Sequence, residues 1–193
     1  MPSFRLVSFP DGPAGVGCAV AGAVERAARE LHATFRVTVL PDALAGDSPR
    51  ALIVPPRSPA PARRDGLWQS TCLELFVGVP GEPGYLEVNV APSGDWNVYR
   101  FTGYREGMVP LDPPEPRSRE APRGPGEALA IGFTLVLPEP WVSARGLEAG
   151  VSAVLEWAGG EKTYWAITHR GPRPDFHRRD AFVLDLGERP SPA

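Results

Sequence analysis

The alternation of apolar and polar residues along this chain predicts a series of short β-strands joined by turns. Residues 4–9 alternate and read as a first strand. Leu31, Ala33, Phe35, Val37 and Val39 interleave with His32, Thr34, Arg36 and Thr38, the period-two pattern of a half-buried strand. The stretch 18–31 is ambiguous, because Val20, Val24, Ala27 or Ala28, and Leu31 fall at helical spacing and alanine favours a helix. Further strands are expected at residues 129–137, 151–157, 163–168 and 181–186. A short helical turn is expected to start near Pro140 and Trp141 and to end around Gly150.

The middle of the chain carries the clearest pattern. Residues 72–79 and 85–91 flank Pro80-Gly81-Glu82-Pro83-Gly84, a hairpin connection. Pairing about that loop sets Glu74 opposite Asn89 and Phe76 opposite Glu87, with Leu73, Leu75, Val77, Leu86, Val88 and Val90 on the other face. Folding back about Pro92-Ser93-Gly94-Asp95 sets Arg100 opposite Glu87 and Val98 opposite Asn89, and sends Tyr99 and Phe101 to the apolar face. The polar face is then expected to carry Glu74, Phe76, Glu87, Asn89, Trp96 and Arg100. Together these elements predict an all-β fold, an antiparallel β-sandwich over residues 1–193 as one domain, with at most one or two short helices.

Composition supports that class. The 24 prolines and 21 glycines suit many turns and long loops better than a helical bundle. Two proline-rich connectors, at residues 41–61 (with Pro49) and 109–127 (with Pro113 and Pro114), fit the rims of a binding site. The net charge of −3 provides no field for nucleic acid or an anionic membrane. Lys162 is the only lysine among 20 basic residues, and the arginine pairs Arg63-Arg64 and Arg178-Arg179 read as solvated loop decoration. Cys18 and Cys72 allow one disulfide but no framework. The N-terminus shows no charged leader followed by an apolar run, and no window is long enough to span a membrane, so a cytoplasmic location with reduced thiols is expected.

Two regions carry candidate chemistry. On the polar sheet face, two carboxylates, an amide, an arginine and a tryptophan suit a sugar-like ligand, whose hydroxyls need both donors and acceptors. The plain alternative is a cross-strand Glu87–Arg100 ion pair on a solvated face. Glu74 and Glu87 as a glycosidase pair is disfavoured, since Arg100 opposite Glu87 would keep it ionised. The second region runs from Tyr164 through His169 to Asp175 and His177. It contains no His-Glu-x-x-His or Cys-x-x-Cys spacing and reads as a proline-stiffened loop whose histidines make hydrogen bonds rather than hold a metal. Of the five tryptophans, Trp157 is in phase with the core, while Trp68 and Trp96 sit beside loops where an indole can form a platform for a sugar ring. Nucleophile-elbow, phosphate-loop and dinucleotide fingerprints are missing, so a non-catalytic reading is favoured.

Three blocks, DGLWQSTCLELFV (65–77), YLEVNVAPSGDWNVYRFTGYREGM (85–108) and YWAITHRGPRPDFHRRDAFVLDL (164–186), resemble DOMON-like proteins, bacterial relatives of the family nine carbohydrate-binding modules. The resemblance implies a β-sandwich, favours a strand over residues 18–27, and implies binding of a carbohydrate or related polar metabolite. It carries forward Trp68, Glu74, Glu87, Asn89, Trp96, Tyr104, Arg105 and His169 as ligand-binding residues. No cofactor is expected. The alternatives are calcium, or haem held by Met108 and His169 as axial ligands, as haem-binding relatives use a methionine and a histidine. A protein-interaction module is the remaining alternative.

Overall fold

The computed structural model describes residues 1–10, 17–41, 51–112 and 115–188; Pro49, Pro113 and Pro114 of the two connectors lie outside the described residues. The strands, in chain order, are β1 (Ser3–Ser8), β2 (Cys18–Ala27), β3 (Glu30–Val39), β4 (Cys72–Gly78), β5 (Tyr85–Val90) and β6 (Trp96–Phe101). They continue as β7 (Val109–Pro110), β8 (Arg117–Glu120), β9 (Glu127–Val136), β10 (Gly146–Glu156), β11 (Lys162–Ala166) and β12 (Leu184–Glu188). All pair antiparallel in one curled sheet, in the order β7-β6-β5-β4-β10-β11-β1-β2-β3-β9-β8. β11 and β12 share the second edge of β10 end to end.

The curl is made at β1. Ser3 to Leu6 pair with β2, whereas Val7 and Ser8 pair with Ala166 and Trp165 of β11, so one strand belongs to both halves of the sheet. The halves enclose a single apolar core. Val20, Leu31, Phe35, Val37 and Ile131 pack from one half and Leu73, Leu75, Val77, Val88 and Val98 from the other, all fully buried. Trp157 is in that core, as its phase predicted. No helix among the described residues is long and apolar enough to cross a membrane.

Residues 18–27 are a strand. Every residue of β2 pairs with β3, and part of it also pairs with β1; this tertiary pairing overrides the helical preference of its alanines. The helical turn expected from Pro140 is shorter than predicted: the backbone bonds Val142 N–H to Pro138 O and Ala144 N–H to Pro140 O close it, and β10 begins at Gly146. The last strand starts at Leu184, after a 3-10 turn at Arg179–Ala181.

The register of β6 corrects the expected faces. The β4–β5 pairing is as predicted, with Glu74 opposite Asn89 and Phe76 opposite Glu87. On β6, however, Tyr99 rather than Arg100 faces Glu87, and Asn97 rather than Val98 faces Asn89. The connection holds five residues, closed by Ala91 N–H to Asp95 O at 2.9 Å, with Gly94 at φ 89° taking up the extra residue. A shift of one residue exchanges the two faces of a strand. Asn97, Tyr99 and Phe101 therefore join Glu74 and Glu87, while Trp96 turns into the core beside Val90 and Val98 and Arg100 is exposed.

Candidate functional site

β4 and β5 are buried on both faces. One face is in the main core. The other carries a second aromatic cluster of Phe76, Tyr85, Tyr99, Phe101 and Phe182, with Phe176 packed against it. Gly150 on β10 makes room for this cover, since a Cβ there would lie 2.8 Å from the Phe182 ring. Arg179 lies across Gly78, donating to Val79 O at 2.8 Å and pairing with Glu148 at 2.7 Å. It is a structural clamp rather than loop decoration. Arg63 departs from the same expectation: its guanidinium stacks 4.6 Å from the Trp96 ring and donates to Asn97 Oδ1 and Leu111 O.

A cleft of about 610 Å³ opens on this face. That volume is in the range of small-molecule sites. Its floor spans the sheet from Phe101 on β6 through Glu87 on β5 and Glu74 on β4 to Val154 on β10. Lys162 and Tyr164 on β11 stand on one side, and Trp68 and Gln69 enter from a 3-10 turn ahead of β4. Arg105 and Met108 come from the β6–β7 loop, and Pro174, Phe176 and His177 from the loop after β11. The two candidate regions of the sequence are thus two sides of one cleft.

Glu74 and Glu87 are almost fully buried, at 2% and 5% exposure. Ser152 Oγ donates to Glu74 Oε2 at 2.7 Å, and Asn89 Nδ2 donates to Glu87 Oε1 at 2.7 Å. Burial, reinforced by the Glu87 charge, pushes the Glu74 carboxyl up to about 8. Burial also raises Glu87, against the opposing pull of the Asn89 hydrogen bond and of Arg105. Asn89 is fully buried, and its Oδ1 has no hydrogen-bond partner among the described residues.

His177 is positioned by Tyr85, whose hydroxyl lies 2.8 Å from Nδ1. The Tyr85 oxygen already accepts the Arg105 N–H at 3.2 Å, so its own proton is available to Nδ1. The ring proton is then on Nε2, 3.8 Å from Glu87 Oε2. Burial, with the nearby Arg105 charge, lowers His177 to about 4 and holds it neutral. Asp175 fastens the two covering loops together. It accepts from Tyr104 at 2.5 Å and from Arg105 Nη2 at 3.0 Å, and from the His177 N–H at 3.2 Å. Arg105 is held at φ 55°, a left-handed conformation uncommon for a residue with a side chain.

Of the eight residues carried from the sequence, Trp68, Glu74, Glu87 and Arg105 line the cleft. Asn89 supports its floor through Glu87, and Tyr104 braces the rim through Asp175. Trp96 is 5% exposed in the main core, so it is no platform. His169 is not in the cleft lining: its Nε2 bonds Val7 O at 3.0 Å and its ring packs edge-on against Phe9. Met108 is at the rim, so the geometry does not bring the proposed axial pair together in the cleft. Phe176 and His177 fall in the second candidate region of the sequence but are not among the residues carried forward, and Lys162 stands out in the sequence only as the single lysine. Sequence reasoning passed over the network of Asp65, Asn97 and Tyr99 that anchors the Trp68 turn: Tyr99 OH donates to Asp65 Oδ1 at 2.7 Å, and the Trp68 ring meets Tyr99 edge-on at 6.0 Å.

No family model matches the chain, and no curated protein matches it. Solved structures do. A protein from Bacteroides uniformis assigned as carbohydrate-binding superposes with a TM-score of 0.57 at 16% identity, over 95% of this chain and 84% of that chain. A family nine carbohydrate-binding module from Caldicellulosiruptor kristjanssonii, solved with cellotriose, superposes with a TM-score of 0.50 at 9% identity, over 97% and 85% of the two chains. At these identities the likeness shows a shared fold.

Proposed function

We propose that this chain is a non-catalytic, DOMON-like binding module whose cleft takes a carbohydrate or a related polar metabolite. The observation that carries the reading is the composition of the cleft: two buried carboxyl groups lie on a floor flanked by Trp68, Phe101, Tyr164 and Phe176. Aromatic faces suit the apolar faces of a sugar ring, and buried oxygens of known orientation suit its hydroxyls. The neutral His177 adds a donor on Nε2 beside Glu87, so the cleft presents acceptors and a donor together. The shared fold with two carbohydrate-binding proteins supports the same reading.

A non-catalytic role is favoured because Ser152, the hydroxyl hydrogen-bonded to Glu74, is buried and lies outside the cleft lining. The test is calorimetric titration against a panel of neutral, amino and acidic mono- and disaccharides. Saturable binding of at least one sugar, weakened on Glu87→Gln, is expected. If no sugar is bound or shifts the melting temperature, the reading is overturned.

A further inference from the structure

The floor of the cleft holds two adjacent acids and one donor beside them, the His177 Nε2–H at 3.8 Å from Glu87 Oε2. Glu74 Oε2 accepts from Ser152 and Glu87 Oε1 accepts from Asn89, but the second oxygen of neither carboxyl is given a hydrogen bond within the described residues. Asn89 Oδ1, fully buried on the same sheet face, has no partner either. The three residues are mutual neighbours. Glu74 faces Asn89 across the β4–β5 ladder, and Glu87 is two residues from Asn89 on the same face. Arg105, the cation that acts on both acids, is already engaged, because it pairs with Asp175 at 3.0 Å.

Two acids packed side by side on a buried floor resist being ionised together, and burial with the neighbouring Glu87 charge keeps a proton on Glu74. The group that answers two adjacent carboxyls is an ammonium, which brings a positive charge and three donors in place of that proton. A sugar hydroxyl supplies one donor and brings its own lone pairs against the same oxygens. From this juxtaposition we infer that the preferred ligand is an amino sugar, its protonated amine seated between Glu74 and Glu87 and its ring against Trp68. The inference rests on the carbohydrate-binding reading above and names the class of sugar. The aromatic walls act in the same direction, since ring faces attract a cation as well as an apolar ring face.

The test compares three sugars of one ring size by titration calorimetry near neutral pH: glucosamine, N-acetylglucosamine and glucose. Glucosamine is expected to bind at least about tenfold more tightly than either neutral sugar. Glu74→Gln and Glu87→Gln, each close in shape to the original, are expected to bring that ratio toward one, with folding of each variant checked by circular dichroism. Equal or tighter binding of the neutral sugars overturns the inference while leaving the carbohydrate reading intact. A ratio that survives in both variants also overturns it. Calcium chloride alone raising the melting temperature, with EDTA reversing the effect, overturns it by assigning the acids to a metal. If none of the three sugars binds while another member of the wider panel does, the inference fails alone; if no member binds, both readings fail.

Discussion

Glu74→Gln should make the protein less sensitive to alkali, and the size of the effect follows from the burial of one carboxyl. Glu74 is 2% exposed and its pKa is raised from 4.5 to about 8, chiefly by burial and then by the Glu87 charge. The folded state therefore holds a proton that the unfolded state releases between those two values. Folding stability falls with pH wherever the native state binds more protons than the unfolded state. The stabilising contribution is complete below the unfolded pKa and is lost as pH rises through the folded one. At 1.36 kcal/mol per pKa unit, the shift amounts to about 5 kcal/mol at its limit, of which roughly 3–4 kcal/mol falls between about pH 5 and pH 8. A domain of this size is stable by only about 5–15 kcal/mol, so the slope is measurable.

Glutamine keeps the shape and the bond to Ser152 but does not titrate. Urea unfolding followed by tryptophan fluorescence, at several pH values across that range, gives the difference in stability between variant and parent. A constant offset between them reports only changed packing. The slope of the difference reports the carboxyl, and the variant should gain on the parent by roughly 3–4 kcal/mol over the range. Parallel curves, with no gain at high pH, refute a buried and mostly neutral Glu74. The other groups acting on this carboxyl are Ser152, Glu87 and Arg105, with Cys72 near it in the strand and His177 beside Glu87. Of these, His177 titrates below the range, at about 4, and burial raises Glu87 above the usual carboxylate value.

Three further outcomes are expected. His177, lowered to about 4, should keep the NMR shifts of a neutral ring down to about pH 5, and stability linked to it should fade as pH drops from about 6.5 through 4; a ring midpoint between about 6 and 7 contradicts the buried geometry. Trp68→Ala removes a side chain that lines the cleft, is 38% exposed and meets the edge of Tyr99, so affinity for any bound sugar should fall about tenfold or more. An unchanged dissociation constant counts against Trp68 as a platform. Asp175→Ala removes the acceptor shared by Tyr104, Arg105 and the His177 N–H, and backbone exchange in residues 103–108 and 174–178 should quicken while the core strands stay protected. Unaltered exchange in both loops rules out the fastening role.

The legible parts of the sequence were those where parity and turn chemistry agreed. The β4–β5 hairpin was readable because its loop fixes the register and its alternate residues are uniformly aliphatic on one side. The β5–β6 hairpin was not, because a four-residue turn and a five-residue connection fit the same Pro-Ser-Gly-Asp run and the strand is aromatic on both faces. Trp96 and Val98 falling in phase were the available signal, and they pointed the other way from Tyr99 and Phe101. The opposite side of the cleft was out of reach for a different reason. Tyr164 and His177 lie about as far from Glu74 in sequence as half the chain, and their meeting depends on β10 pairing with both β4 and β11. The raised pKa of Glu74 depends in turn on loops closing over a face that an antiparallel sheet often leaves to water.

That covered face also bears on why polar groups are there at all. If the outer face of β4 and β5 served stability alone, aliphatic residues would fill it with less penalty than two carboxyls and an amide with an unpartnered oxygen. Phe76, Tyr85 and Phe101 show that the same face accepts large apolar side chains one pair further along the ladder. The change from aromatic cluster to buried acids therefore happens within two residues on each strand, where the cleft opens. Folding leaves Glu74 holding a proton beside Glu87, and the proposed ammonium ligand would relieve the repulsion between the two acids. The same groups that make the folded chain sensitive to alkali are thus the ones expected to hold the ligand.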